Sequence, residues 1–156
     1  VTCILYNVFW RFARFVILYC QYFVSSENNK KRRKIMLNCI FVGLGGFVGS
    51  ILRYLVGLIP IKNPSGFPIN TFLINVFGSL AIGVIACLAA KNSNLDSRLI
   101  LFLKVGICGG FTTFSTFSLE TAELVKNGSI ALAVLYIVIS VSFGALFAFL
   151  PQLVIK

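Results

Sequence analysis

Apolar residues in this chain do not recur at the period of a surface helix or alternate as in a half-buried strand. They run on for about twenty positions, the length a helix needs to cross a bilayer core, and short polar clusters then interrupt them. From Met36 onward four stretches have that length: 37–58, 69–90, 99–122 and 130–150. The pattern predicts an all-α integral membrane protein with four transmembrane helices. A fifth apolar stretch, 1–24, is interrupted by Arg11 and Arg14. Charges near a helix centre cost several kcal/mol (about 2.5–3.5 each on insertion scales), so this stretch reads as a poor span, an interfacial helix, or no part of the native protein. Met36 is the single methionine and the clean pattern begins there. Residues 1–35 are therefore expected to be an upstream extension, with a signal-anchor or targeting segment as the alternative, and 36–156 the functional domain.

The connections are short. The first, 60–68, holds three of the four prolines and cannot continue a helix; 91–98 and 126–129 supply the others. Loops of this length force neighbouring spans to run antiparallel. No proline falls within the four predicted spans, so any break in them must come from Gly, Ser and Thr.

Composition narrows the function. The 156 residues are 58% hydrophobic and only 12% charged, with mean hydropathy +0.96, whereas a soluble domain carries about 25% charged residues. Without a histidine, a His-ligated metal, a haem and a His-based triad are excluded. Asp96, Glu120 and Glu123 fall at or near the ends of apolar runs and form no facing acid pair, so an enzyme is not indicated. The same placement disfavours a drug/proton exchanger. The five cysteines show no C-x-x-C spacing and suit buried apolar roles rather than a thiol relay.

The net charge of +10 divides into +6 for residues 1–35 (7 basic, 1 acidic) and +4 for the rest (7 basic, 3 acidic). Much of it is the run Lys30-Lys31-Arg32-Arg33-Lys34, which beside an apolar stretch reads as a topology determinant or a contact to anionic lipid, not a nucleic-acid patch. On this reading the charges mark the loops. In the four-span core Lys91, Arg98, Lys104 and Lys156 lie toward one side and Lys62, Lys126 and Arg53 toward the other. So weak a bias permits insertion both ways, and pairing of both orientations gives an antiparallel two-fold dimer; alternatively the basic run fixes one orientation.

Candidate chemistry concentrates in the third span, where Gly109-Gly110-Phe111-Thr112-Thr113-Phe114-Ser115-Thr116-Phe117 sits at mid-membrane depth. Glycine costs about 1 kcal/mol against alanine in a helix, and Ser and Thr compete for backbone hydrogen bonds, so the span is expected to break here and free carbonyls able to hold a hard cation. Close packing through Gly45-x-x-x-Gly49 and Gly106-x-x-x-Gly110 is the plainer use of the glycines. Phe111, Phe114 and Phe117 either face lipid or offer their electropositive ring edges to an anion. Thr71, Asn75 and Ser79 form a polar stripe on the second span, and Tyr136, Ser140 and Gly144 another on the fourth; each either glues helices or lines a path.

The string Gly109 to Phe117, with Gly45-Gly46-x-x-Gly49-x-x-x-Arg53-Tyr54 and Asn70-Thr71 followed by Asn75-x-x-Gly78-Ser79, resembles the CrcB/Fluc family of fluoride channels over essentially all of 36–156. The resemblance implies a multi-pass protein of the plasma (inner) membrane, assembled as a dual-topology homodimer that passively exports fluoride from the cytoplasm and confers fluoride resistance. It implies ring-edge fluoride contacts from Phe114 and Phe117 and a donor amide from Asn75. Thr71, Tyr136 and Ser140 would lie on the polar track and Arg53 near a vestibule. The carbonyls of Gly109 and Thr112 would hold a structural Na+ shared between subunits. Gly144 stands where members of the family can carry a further hydroxyl.

Overall fold

The computed structural model describes residues 10, 11, 14, 15, 17, 18, 21, 29–61, 64–92 and 94–155. The chain divides into two units, 1–37 and 38–156. Most of the stretch 1–24, with its reading as a span or interfacial helix, lies outside the described residues, as do Lys62 and Lys156. Those described within it, Trp10, Arg11, Arg14, Phe15, Ile17, Leu18 and Gln21, are helical and exposed.

Four helices are long and apolar enough to cross a membrane, and the described residues contain no strand. The protein is an all-α membrane protein. The first helix, α1 (Asn29–Gly57), starts earlier than the apolar pattern predicts. The run Lys30 to Lys34 is therefore not a loop: these five residues form the opening turns of α1 with their side chains exposed. Lys and Arg are good helix formers whose heads stay in water, so the helix continues outward through them. Helix α2 (Ile69–Lys91) and the last helix, α6 (Ile130–Val154), match their apolar runs closely. The end of α6 differs in one respect, since it continues through Pro151 where the apolar run stops at 150. One helical hydrogen bond is lost there, and the buried ring packs on Gly83 of α2.

The third span, Ser97–Lys126, is built in pieces: α3 (Ser97–Ile100), a π-helical stretch (Leu101–Cys108), α4 (Gly109–Phe111) and, after a break, α5 (Phe114–Lys126). Asp96 caps its start, accepting the Arg98 N–H at 2.9 Å. Its end is a Schellman turn: Ser129 N–H donates to the Leu124 carbonyl, Gly128 N–H to that of Val125, and Gly128 takes the positive φ of 78° that favours glycine.

Spans one and three meet through glycines. A Cβ on Gly45 would overlap the Phe102 carbonyl oxygen, one on Gly49 that of Ile107, and one on Gly106 would lie 2.7 Å from the Gly45 Cα. Packing is thus a real use of both small-x-x-x-small pairs, and no larger residue permits this approach. The buried interior is small: beside Pro151 and the packing glycines it holds Thr71, Ile74, Val76, Cys87, Cys108, Thr113, Phe117, Ala133 and Tyr136. Leu, Ile, Val and Phe side chains on the outer faces of every span are exposed, which is stable only where the surrounding solvent is hydrocarbon.

Candidate functional site

The break follows from local sequence. After Gly109-Gly110-Phe111, Thr112 (φ −73°, ψ 155°) and Thr113 (φ −146°, ψ 113°) are extended, and Thr113 starts α5 as its N-cap, accepting the Thr116 N–H on Oγ1 at 3.1 Å. The Thr113 hydroxyl donates to Thr116 Oγ1 at 2.9 Å, and Ser115 Oγ lies 3.2 Å away. Thr112 closes the preceding turn, its N–H and hydroxyl both donating to the Cys108 carbonyl, at 3.0 and 2.9 Å.

Asn75 of α2 repairs the gap. Its Oδ1 accepts the Thr113 N–H at 2.8 Å and its Nδ2 donates to the Thr113 carbonyl at 3.0 Å, so the side-chain amide pairs with the interrupted peptide. The carbonyls on the N-terminal side of the break lose their helical donors, those of Gly109 and Thr112 among them. An unbroken helix would pair the Gly109 carbonyl with Thr113 N–H, which goes to Asn75, and the Thr112 carbonyl with Thr116 N–H, which goes to Thr113 Oγ1. The Gly110 carbonyl instead accepts from Arg53 Nε at 3.1 Å, tying α1 to the break. Gly78 lets α2 pass close by, because a Cβ there would overlap the Thr112 methyl.

Two cavities flank Thr113. One, of about 330 Å³, is lined by Asn75, Gly78, Ser79, Ile82, Cys108, Gly109, Thr112, Thr113, Phe114, Ser140, Val141 and Gly144. Asn75 and Ser79 of the span-two stripe therefore face Ser140 and Gly144 of the span-four stripe across it. Within it the Ser140 hydroxyl oxygen is buried without a hydrogen-bond partner, an unusual state for such a group. The second cavity, of about 370 Å³, is lined by Arg53, Tyr54, Gly57, Leu58, Asn70, Thr71, Ile74, Thr113, Thr116 and Glu120.

At the second cavity Glu120 has a role that its place near a span end does not announce. It does not lie idle at a span end: its Oε1 accepts the Thr71 hydroxyl at 2.7 Å and its Oε2 the Tyr136 hydroxyl at 2.8 Å. Thr71 is 4% exposed and Tyr136 fully buried at 0%, so their protons need an internal acceptor, and Glu120 supplies it. The signal lies in spacing, since Thr116 and Glu120 recur at i and i+4 on one face of α5, below its N-cap Thr113. The phenylalanines divide. Phe117 is 9% exposed and packs on Tyr136, with centroids 5.0 Å apart, whereas Phe114, 5.7 Å from Phe117, is 79% exposed in the single chain.

The sequence-derived residues thus fall into two groups. Asn75, Ser140, Gly109, Thr112 and Phe114 share the first cavity; Arg53 and Thr71 share the second, with Tyr136 and Phe117 packed beside its Glu120. Among the described residues no His, Cys, Asp and Glu side chains cluster as a metal site, so a cation at the break would rest on backbone carbonyls. Those freed at Gly109 and Thr112 are of the right chemistry for a hard ion.

Residues 40–151 match the family described as CrcB-like protein, Camphor Resistance (CrcB). A relative from Ruminiclostridium cellulolyticum is 48% identical over 111 residues, 70% of this chain and 85% of the relative. One from Methylobacterium sp. is 48% identical over 109 residues, covering 70% and 88%, and one from Chlorobaculum tepidum 43% identical over 122 residues, covering 78% and 97%. Each bears the name fluoride-specific ion channel FluC. The chain belongs to the CrcB-like family, a family of channels and not of enzymes.

Proposed function

We propose that the chain is a fluoride-selective channel that lets the ion leave the cytoplasm down its gradient across the inner membrane. The observation that carries this reading is its 48% identity to a protein named as such a channel, over most of both chains. The geometry supports it. Fluoride gives up strongly held water only for strong, close donors, and here the donors are small and uncharged. Asn75 Nδ2 keeps a second hydrogen beyond the one given to Thr113, and Ser140 presents a buried, unpartnered hydroxyl to the same cavity. Phe114 and Phe117 add ring edges, which attract an anion without binding it tightly, and Arg53 adds positive charge beside the break.

At the Glu120 end the Thr71 and Tyr136 protons are already engaged. An anion passing there takes the place of a carboxyl oxygen as their acceptor. Gly109 and Phe114 are exposed, and carbonyls freed at mid-span are not tolerated against lipid. A second copy in the opposite orientation would cover this face as a dual-topology homodimer, with a structural Na+ held by Gly109 and Thr112 carbonyls from both copies. That ion supplies a fixed positive field to the adjoining anion path.

The test is fluoride efflux from liposomes containing the purified chain, read with a fluoride electrode against a chloride control, for the whole chain and for residues 36–156. Fluoride release without chloride release is expected from both. Failure to release fluoride in vesicles shown to contain folded protein overturns the reading.

A further inference from the structure

The connection between the first two spans does more than join them. Gly66 takes a positive φ of 71°, and Phe67 is held between that turn and the start of α2. Its N–H reaches Ser65 Oγ at 3.4 Å and its carbonyl accepts the Ile69 N–H at 2.8 Å. Pro68 follows as the residue before α2, its carbonyl accepting the Phe72 N–H. A backbone fixed in this way aims the Phe67 ring inward.

There it meets Tyr136 edge to face, with centroids 5.2 Å apart and planes at 81°, and Phe72 at 5.7 Å and 73°. Phe117 holds the Tyr136 ring from the third span, so the phenol is pinned between a span residue and a loop residue, with its hydroxyl on Glu120. Beneath the loop lies a cavity of about 250 Å³, lined by Ile61, Phe67, Pro68, Ile69, Asn70 and Glu120. Asn70 and Glu120 also line the 370 Å³ cavity. Those two residues therefore border both the loop side and the interior, and the Asn70 amide is fixed by donating to the Gly57 and Ile59 carbonyls.

We infer that Phe67 closes the loop-side end of the Thr71–Tyr136–Glu120 site to water and is thereby a specificity-determining residue of the channel. The selectivity part rests on the fluoride reading above; the exclusion of water does not. Tyr136 is fully buried although the cavity over Glu120 opens beside it, and the Phe67 ring is the loop's contact on it. Remove the ring and water reaches the phenol. An ion that must otherwise exchange its hydration for protein donors can then keep part of that shell, and the advantage of fluoride over chloride shrinks.

The test uses the full chain labelled with 3-fluorotyrosine, the Tyr136 ¹⁹F resonance being assigned by its loss in Tyr136→Phe. Phe67→Ala, Phe67→Leu and Phe67→Tyr are compared by the H2O/D2O shift of that resonance and by fluoride and chloride efflux. The expected result is a solvent shift at Tyr136 in the Ala and Leu variants, absent from the parent and from Phe67→Tyr, which restores the ring. Chloride efflux relative to fluoride should rise in Phe67→Ala and stay at the parent ratio in Phe67→Tyr. A Tyr136 signal that stays dry in Phe67→Ala, or a Leu variant that behaves like Tyr, overturns the inference and leaves Phe67 as packing. If Tyr136 becomes wet while the parent itself carries no fluoride, the channel reading falls and water exclusion by Phe67 stands.

Discussion

Asn75→Leu is the sharpest test of how the broken span is held. Leucine keeps the branched shape and the heavy-atom count of the amide, and the adjoining 330 Å³ cavity can take its slightly bulkier methyl groups, so steric cost is small. What disappears is the pair of hydrogen bonds to Thr113. The Thr113 N–H then has no helical acceptor within reach, because the chain is extended at Thr112 and Thr113, and the residue is buried. Leaving a buried peptide group unpaired costs about 1–3 kcal/mol, and losing the bond to the carbonyl about 1 more. The expected loss of stability is therefore about 2–4 kcal/mol, large against a total of order 5–15. Unfolding in mixed micelles by added SDS, followed by circular dichroism, reads this directly, and efflux from liposomes reads the functional loss. A variant within about 0.5 kcal/mol of the parent, the range of an inconsequential surface change, would show that the Thr113 peptide is satisfied by something other than Asn75. That result would refute the account of the break given above.

The remaining predictions separate roles that the sequence alone merges. Phe117→Ile should cost about 1–2 kcal/mol by the same unfolding assay, since it removes ring contacts to Tyr136 and Phe114. Phe114→Ile should cost under about 0.5 kcal/mol in the isolated chain, where the ring is exposed; both should suppress fluoride efflux, and unchanged efflux in Phe114→Ile removes the ring edge from the mechanism. Ser140→Ala deletes a buried hydroxyl with no partner, so stability should hold or rise by up to about 1 kcal/mol while efflux falls; a marked loss of stability would mean that the hydroxyl is satisfied after all. Gly109 is helical, at φ −65° and ψ −36°, with open space where a Cβ would stand, so Gly109→Val should leave the chain folded yet weaken subunit association, measured by cross-linking in vesicles; a normally assembled, conducting variant excludes Gly109 from the interface and from the cation site.

The spans and the glycine packing were legible because both depend on local composition: a run of apolar residues has one use in a bilayer, and glycines four apart permit close contact. The break was legible for the same reason, since Gly109-Gly110 and the hydroxyl residues after it weaken a helix wherever it is placed. Partners were not legible. Asn75 stands on a polar stripe in the sequence, but only the fold shows that its amide is engaged by Thr113 and that one Nδ2 hydrogen remains for anything else. Glu120 looks peripheral in the sequence because distance along the chain does not report which side chains turn toward it. A position six residues from the end of α5 still turns toward Thr71 and Tyr136, which reach it from two other helices. The start of α1 and the continuation of α6 past Pro151 are not legible in the apolar pattern, because Lys and Arg extend a helix beyond its apolar run and Pro151 costs α6 a single hydrogen bond near its end.

The two cavities meet at Thr113 but differ in how their donors are kept when no ion is present. Thr71 and Tyr136 donate to Glu120, so the resting site carries no unsatisfied hydroxyl there. Without that acceptor two buried hydroxyls would be unpaired, at about 1–3 kcal/mol each. Ser140 is left in that condition across the other cavity. An anion arriving beside Ser140 gains a donor that nothing else uses, while one arriving beside Thr71 and Tyr136 must first displace Glu120. If fluoride is the permeant ion, dwelling is therefore favoured on the Ser140 side of Thr113 and passage on the Glu120 side. A chain of sites that holds the ion unevenly, and nowhere very tightly, is what conduction requires.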